Sequence, residues 1–172
     1  MKFPTFALLA ALAATPLQAQ SPADLTDAQI AHAAYTADLI DIRYAHLALA
    51  LSTSEDVRAF AETMIRDHTA VNAKALELLT KLGVAPEDNF LSQALNAGAD
   101  KIVADFVLLK GAEFDRAYAA NELAYHQAVN GIVDKDFLPN IENAEVKALF
   151  DQASGIFHAH EHDAEALVAA VK

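Results

Sequence analysis

Residues 114–133 read FDRAYAANELAYHQAVNGIV. At the 3.6-residue period of an α-helix, Asp115, Tyr118, Glu122, His126, Val129 and Val133 share one flank, so a Glu-x-x-x-His pair stands where an apolar stripe is expected. Glu122 and His126 are either an i,i+4 hydrogen-bonded pair beside a tyrosine-rich core face or a pair of metal ligands. Taken alone the segment favours the first reading, because such polar pairs are common on helices. The other helices decide the matter.

Outside this stretch the chain is helical in composition. It has 172 residues, 54% of them hydrophobic, with five glycines, five prolines and no tryptophan. A turn-rich β-protein needs far more Gly and Pro, and the length suits one domain with a real core. The formal net charge of -12 argues against nucleic acid and against an anionic membrane surface, since both are held by clustered Lys and Arg. Without cysteine, disulfides, thiolate metal sites and cysteine nucleophiles are excluded.

Residues 1–19, MKFPTFALLAALAATPLQA, carry Lys2, an apolar run from Phe6 to Ala14, and Leu17-Gln18-Ala19 in a small-residue cleavage pattern. The run is short for a bilayer span, so the segment is expected to be a secretory signal cleaved after Ala19, with export to the periplasm and a single domain over 20–172. Membrane contact is expected only through this segment where it stays uncleaved. The sequence names no protein partner.

Thr26 with Gln29 makes a capping box that opens a first long helix, and no Pro or Gly follows until Gly83. Its seam is Ile30, Ala34, Ala37, Asp41, Tyr44, Ala48 and Leu51, with Asp41 the intruder. Ser52 to Asp56 forms a polar break, and a second helix runs to about Leu82, stopped by Gly83 with Pro86 beyond. In its seam of Val57, Ala61, Met64, His68, Val71, Ala75, Leu78 and Leu82 the one polar member is His68. Asp67 lies off that line, as a flank ligand or a boundary acid. Residues 86–110 hold a weaker helix with Gly98 in its interior, an extra arm between the second and third main helices. After the connection around Pro139 a last helix starts near Asn143, with Ser154-Gly155 a candidate break. Its apolar line includes His160, while His158 and His162 point elsewhere and read as solvated.

Each main helix thus contributes an ionisable residue on or beside its packing face: Asp41, His68, Glu122 with His126, and His160. An unpaired polar group in a core costs roughly 1–3 kcal/mol, so intrusions in every helix point to mutual satisfaction around a shared axis. In a hairpin turning at 52–54, Asp41 and His68 fall within about one helical turn in depth by the ~1.5 Å rise per residue; Glu122 and His160 match less well. Two carboxylates with three imidazoles suit one divalent ion of the zinc, iron, manganese or copper group better than calcium. The di-iron pattern needs Glu-x-x-His on two helices, which the second and third main helices lack. That argues against a ferroxidase-type centre.

The run VRAFAETMIRDHTAVNAKALELLTKLGVAPEDN, the phrase LLKGAEFDRAYAANELAYHQAV and His160 resemble the bacterial domain of unknown function 4142 family. The most specific pieces are Met64 to Thr69, Phe114 to Tyr118, and His126. The resemblance covers about residues 25–170 and implies an exported, ferritin-like antiparallel four-helix bundle in which Asp67, His68, Asp115, His126 and His160 matter. It brings no reaction with it. In the family's first helix two nearby acids are usual; here one position is Asp41 and the other Arg43, and Glu161 follows the last histidine where an apolar residue is usual.

Three functions remain open at this point. One is an exported domain with a transition-metal site at Asp41, His68, Glu122, His126 and His160, flanked by Asp67, Asp115 and Tyr118. Another is a structural or interaction bundle whose buried His, Asp and Glu only order the core. A third is a metal-dependent ferritin-like oxidoreductase. No catalytic residue is assigned, because neither a Gly-rich phosphate loop nor a nucleophile–histidine spacing is present.

Overall fold

The computed structural model describes residues 20–172, so the expected signal segment and its cleavage point lie outside the described residues. The fold is all-α: α1 (Asp27–Leu51), α2 (Glu55–Leu82), α3 (Phe90–Phe106), α4 (Ala112–Ile132) and α5 (Ala144–Ala170), with no strand among the described residues. A 3-10 turn, Pro22–Asp24, leads in, and a π turn, Val133–Phe137, ends α4. None of the described helices is long and apolar enough to cross a membrane.

The caps are those the residues dictate. Thr26 and Gln29 form the reciprocal capping box of α1, and Ser54 caps α2 with Glu55 and Asp56 in its first turn, where helix N-terminal N–H groups favour anions. Gly83 closes α2 in the left-handed region at φ 68°, a conformation that costs glycine little and other residues more. Between α1 and α2 the turn is only three residues long, which forces an antiparallel hairpin. Arg58 reinforces it by donating to the Leu49 and Ser52 carbonyls left over at the end of α1.

α1 packs along α2, α4 packs along α5, and the two pairs meet where α2 contacts α5 and α1 contacts α4. α3 lies on the outside of α1 and also touches α4. α1 is therefore covered on several sides, and its composition permits it: Ala31, Ala33, Ala37, Ala45 and Ala48 are all buried, and small side chains let neighbouring backbones approach. The buried face of α1 is accordingly wider than a single seam, taking in Thr36, Asp38 and Ile40.

One sequence expectation is corrected. α5 runs unbroken through Ser154-Gly155, because Ala153 and Phe157 on either side are buried and tertiary packing outweighs local helix propensity. Gly98 sits in the interior of α3, as the sequence placed it. At the C-terminal end of α4 the wider π turn brings both Val133 and Phe137 into the core with Phe150 and Ile141.

The start of α1 and the start of α5 are joined by one carboxylate. Asp27 accepts from the backbone N–H of Glu142 at 3.0 Å and of Asn143 at 2.8 Å. Replacing it (Asp27→Ala) removes both bonds at once and is expected to lower unfolding free energy by about 1–2 kcal/mol, read from urea denaturation; an unchanged midpoint would show that this clasp adds nothing.

Candidate metal centre

The unbroken α5 matters for the site, because it carries His160 to the depth of His68 and His126. The three imidazole centroids are 5.9 Å (His68–His126), 5.1 Å (His68–His160) and 5.6 Å (His126–His160) apart. All three rings are buried, and Asp41 and Glu122 beside them have no exposed surface. Two sets of ligand atoms, His68/His126/His160 and Asp41/Glu122/His126, each lie within 4.8 Å of one another.

Each ring has one nitrogen anchored and the other left inward. His68 Nδ1 donates to Asp38 Oδ1 at 2.7 Å, His126 Nδ1 donates to the Glu122 carbonyl at 2.9 Å, and His160 Nε2 donates to Asp67 Oδ2 at 3.1 Å. Carboxylate and carbonyl oxygens only accept, so these contacts assign the N–H to the anchored side. The remaining nitrogens, His68 Nε2, His126 Nε2 and His160 Nδ1, have no hydrogen-bond partner among the described residues, and neither do the carboxylate oxygens of Asp41 and Glu122. His68 Nε2 and His126 Nε2 stand 3.2 Å and 3.3 Å from the same Asp41 Oδ2, close enough for charge attraction without a directed hydrogen bond. They border a cavity of ≈ 10 Å³ lined also by Asp38, Tyr125, Asn130 and Phe157.

The electrostatics divide the groups. Burial alone would raise the Asp41 carboxyl, but the His68 charge, with His126 and His160 behind it, outweighs that and holds it below its usual value. Burial pushes His68 down, yet Asp41 and Asp38 win and keep it protonated well above the ordinary range. At Glu122 the pull of His68 is the weakest influence, so burial, then the Asp41 charge, drives its carboxyl well up. His126 and His160 are lowered, first by burial. A protonated His68 with an ionised Asp41 therefore sits beside a neutral Glu122 and two neutral imidazoles.

The flanking residues separate. Asp67, half-buried, anchors His160 and is held down to about 2 mainly by Arg66, which pairs with it in fork geometry at 2.7 and 2.9 Å. Tyr118 lies one turn before Glu122, fully buried among Phe60, Phe106 and Phe114. Asp115 stands elsewhere: it accepts from Ser52 at the α1–α2 turn, about 16 Å along α4 from His126 at ~1.5 Å per residue. His158 and His162 are exposed, as their helical phase requires.

Asp38 and Asn130 escaped the sequence reading. Asp38, three residues before Asp41, adds a second buried acid from α1 to the site, while Arg43 pairs outward with Asp100. The signal was the i,i+3 acid spacing within DLID.

A family model described as a domain of unknown function (DUF4142) matches residues 12–167. The chain belongs to this family. No curated protein and no solved structure matches it. Membership in DUF4142 assigns no activity, so the chemistry of this member has to be argued from the cluster itself.

The two buried carboxyls are expected to respond oppositely to neutralisation in metal-free protein. Asp41→Asn removes the main counter-charge of His68 and should cost about 3 kcal/mol, near the lower end for broken buried pairs because Asp38 remains. Glu122→Gln should cost little near pH 4.5, the unfolded carboxyl value. Its standing relative to wild type should rise with pH above that value, because an acid whose pKa is raised on folding loses stability as the unfolded chain deprotonates. Urea titrations in chelator across pH 4–8 measure both; a Glu122→Gln difference independent of pH would contradict a protonated Glu122.

Proposed function

We propose that residues 20–172 form an exported, ferritin-like four-helix domain that holds one divalent transition-metal ion among Asp41, His68, His126 and His160, with Glu122 beside them, in a metal-handling or stress role in the periplasm. Export is supported by the character of residues 1–19 in the sequence. The ferritin-like arrangement is supported by the ring of contacts from α1 to α2, α2 to α5, α5 to α4 and α4 back to α1, with α3 as the extra arm.

One observation carries the metal reading. Three imidazoles from three helices are each pinned through one nitrogen by an acceptor, while the three inward nitrogens and the carboxyl oxygens of Asp41 and Glu122 have no hydrogen-bond partner among the described residues and fall into two adjoining buried sets that share His126. Outer acceptors that fix ring orientation and tautomer accompany histidine ligands almost everywhere. Leaving so many buried polar atoms unpaired would cost of order 1–3 kcal/mol each, a cost that coordination removes. The imidazole-rich donor set fits zinc, iron, manganese or copper. A bound ion would act there as a Lewis acid or, for iron, manganese or copper, as an electron carrier.

A second reading has its own support: His68 is already paired with Asp38 and Asp41. A buried ion triad of this kind would register α1 against α2 without any metal.

Protein isolated from the periplasm separates the two. The metal reading expects about one equivalent of metal by elemental analysis, lost in His126→Ala, with stabilisation of about 2.7 kcal/mol at a hundredfold excess over Kd. Metal-free protein whose melting ignores both chelator and added metal would leave only the ion triad. Because His68 carries a proton that a metal must displace, binding should release about one proton and tighten by about tenfold per pH unit, as titration calorimetry in buffers of different ionisation enthalpy reports.

A further inference from the structure

We propose that the cavity between α1, α2 and α5 at Asn72 is a binding site for a small neutral molecule, one that joins a short apolar part to a single group able both to donate and to accept a hydrogen bond, a primary amide or a hydroxyl. The inference goes beyond the metal reading and does not depend on it.

Asn72 stands one turn after His68 on the buried face of α2 and is 6% exposed. Neither its Nδ2 nor its Oδ1 has a hydrogen-bond partner among the described residues. An amide sealed from water in this way forfeits bonds that it makes in the unfolded chain, and the great majority of buried polar groups avoid that loss. The cavity at the histidines does not include Asn72. It forms instead part of the wall of another cavity, of ≈ 30 Å³. Val71, Leu79 and Phe150, all buried, make much of the floor there, and the half-buried Ala75, Leu78 and Leu149 form the side nearer solvent. Asp38 and Phe157 line both cavities, so a guest here is separated from the histidine cluster by those two side chains.

The walls define the chemistry of the guest. About 10–15 Å³ holds one water, which needs two to four polar partners. This space is large enough for about two, yet apart from Tyr35 its polar side chains are Asn72 and Asp38 alone, too few to satisfy them. A mostly apolar wall with a few convergent polar groups is the usual make-up of a small-molecule site. No Lys, Arg or His lines the cavity, so nothing there holds an anion. Its one carboxylate, Asp38, already accepts from His68 Nδ1 at 2.7 Å, which leaves no unanswered acid for a cation. A neutral guest remains, and its polar group has to match both atoms of the Asn72 amide, one a donor and one an acceptor.

Chelator-stripped protein with labelled alanine methyl groups, titrated with acetamide and with ethanol and followed by NMR, tests the site. Both are expected to shift the methyl signals of Ala34, Ala75 and Ala153, which line the cavity, saturably and with Kd on the order of 1 mM, as suits so few atoms. Acetate and ethylammonium, similar in size but charged, should bind about tenfold more weakly or worse. Asn72→Leu keeps the side-chain volume, removes the amide, and should weaken acetamide by about tenfold. Ala75→Leu fills the cavity from its outer side with Asn72 in place and should abolish binding; where one variant fails to fold, the other decides. The site is overturned by methyl signals that do not saturate with either neutral probe, by acetate binding as well as acetamide, or by wild-type affinity in the folded Asn72→Leu protein. Because the protein carries no metal in these titrations, none of those outcomes touches the centre at His68.

Discussion

The carboxylate of Asp41 is the constraint around which the interior is arranged. It has no exposed surface, remains ionised, and lies between the inward nitrogens of His68 and His126. A buried charge is tolerated only when others answer it. The answer here comes from two other helices. His68 brings α2 against α1 with a proton of its own, and Asp38, one turn earlier, accepts from the far side of that ring. His126 approaches from α4. The three-way relation sets the depth at which the two hairpins meet, because a shift of one turn, about 5.4 Å, would leave Asp41 facing hydrocarbon.

Aromatic and aliphatic packing encloses this polar centre without satisfying it. Phe157 stacks on His68 with ring centroids 5.3 Å apart and planes 11° from parallel. Toward the α1–α2 turn the centre gives way to Tyr118, Phe114, Phe106 and Tyr44, packed mostly edge to face. Such walls exclude water, and so they strengthen every charge interaction inside them. They also explain why Glu122 stays protonated while Asp41 does not. Both are fully buried, but the imidazolium of His68 lies against Asp41, and Glu122 faces a carboxylate and the tyrosines.

Much of this arrangement was legible in the residues, and what was missed has physical reasons. Thr26 with Gln29, Ser54 and Gly83 mark helix ends through local chemistry, which a sequence displays directly. Asp41, His68, Glu122, His126 and His160 stand out because each interrupts an apolar seam. Asp38 does not interrupt the seam that was drawn, since a helix enclosed on several sides has more than one buried face, and the alanines that allow this carry little periodic signal. Asn130 is silent for a related reason: a single amide near a helix end is common on surfaces, and only the neighbouring helix shows that it is buried. The Ser154-Gly155 pair misleads in the opposite direction, because intrinsic propensity is worth about 1 kcal/mol at glycine and the burial of Phe150, Ala153 and Phe157 outweighs it. Asp115 shares the phase of Glu122 and His126, but phase says nothing about depth, and it ends at the turn between α1 and α2.

Stability and binding are drawn from the same residues, and this shapes what the domain can do. A bundle held together by apolar contacts alone would be indifferent to metal, whereas one whose central layer contains unpaired acceptors gains stability from whatever ion fills their valences. Replacing the layer with leucines would remove the desolvation penalty and, by the experience of other buried ion clusters, yield a fold at least as stable. Retaining a costly polar layer across four helices therefore makes structural sense only where the layer does something that packing cannot. Registering the helices is one such task, and a single pair, His68 with Asp41, suffices for it. The free nitrogens of His126 and His160, from α4 and α5, go beyond what registration requires, and they are the part of the interior that a coordinated ion would account for.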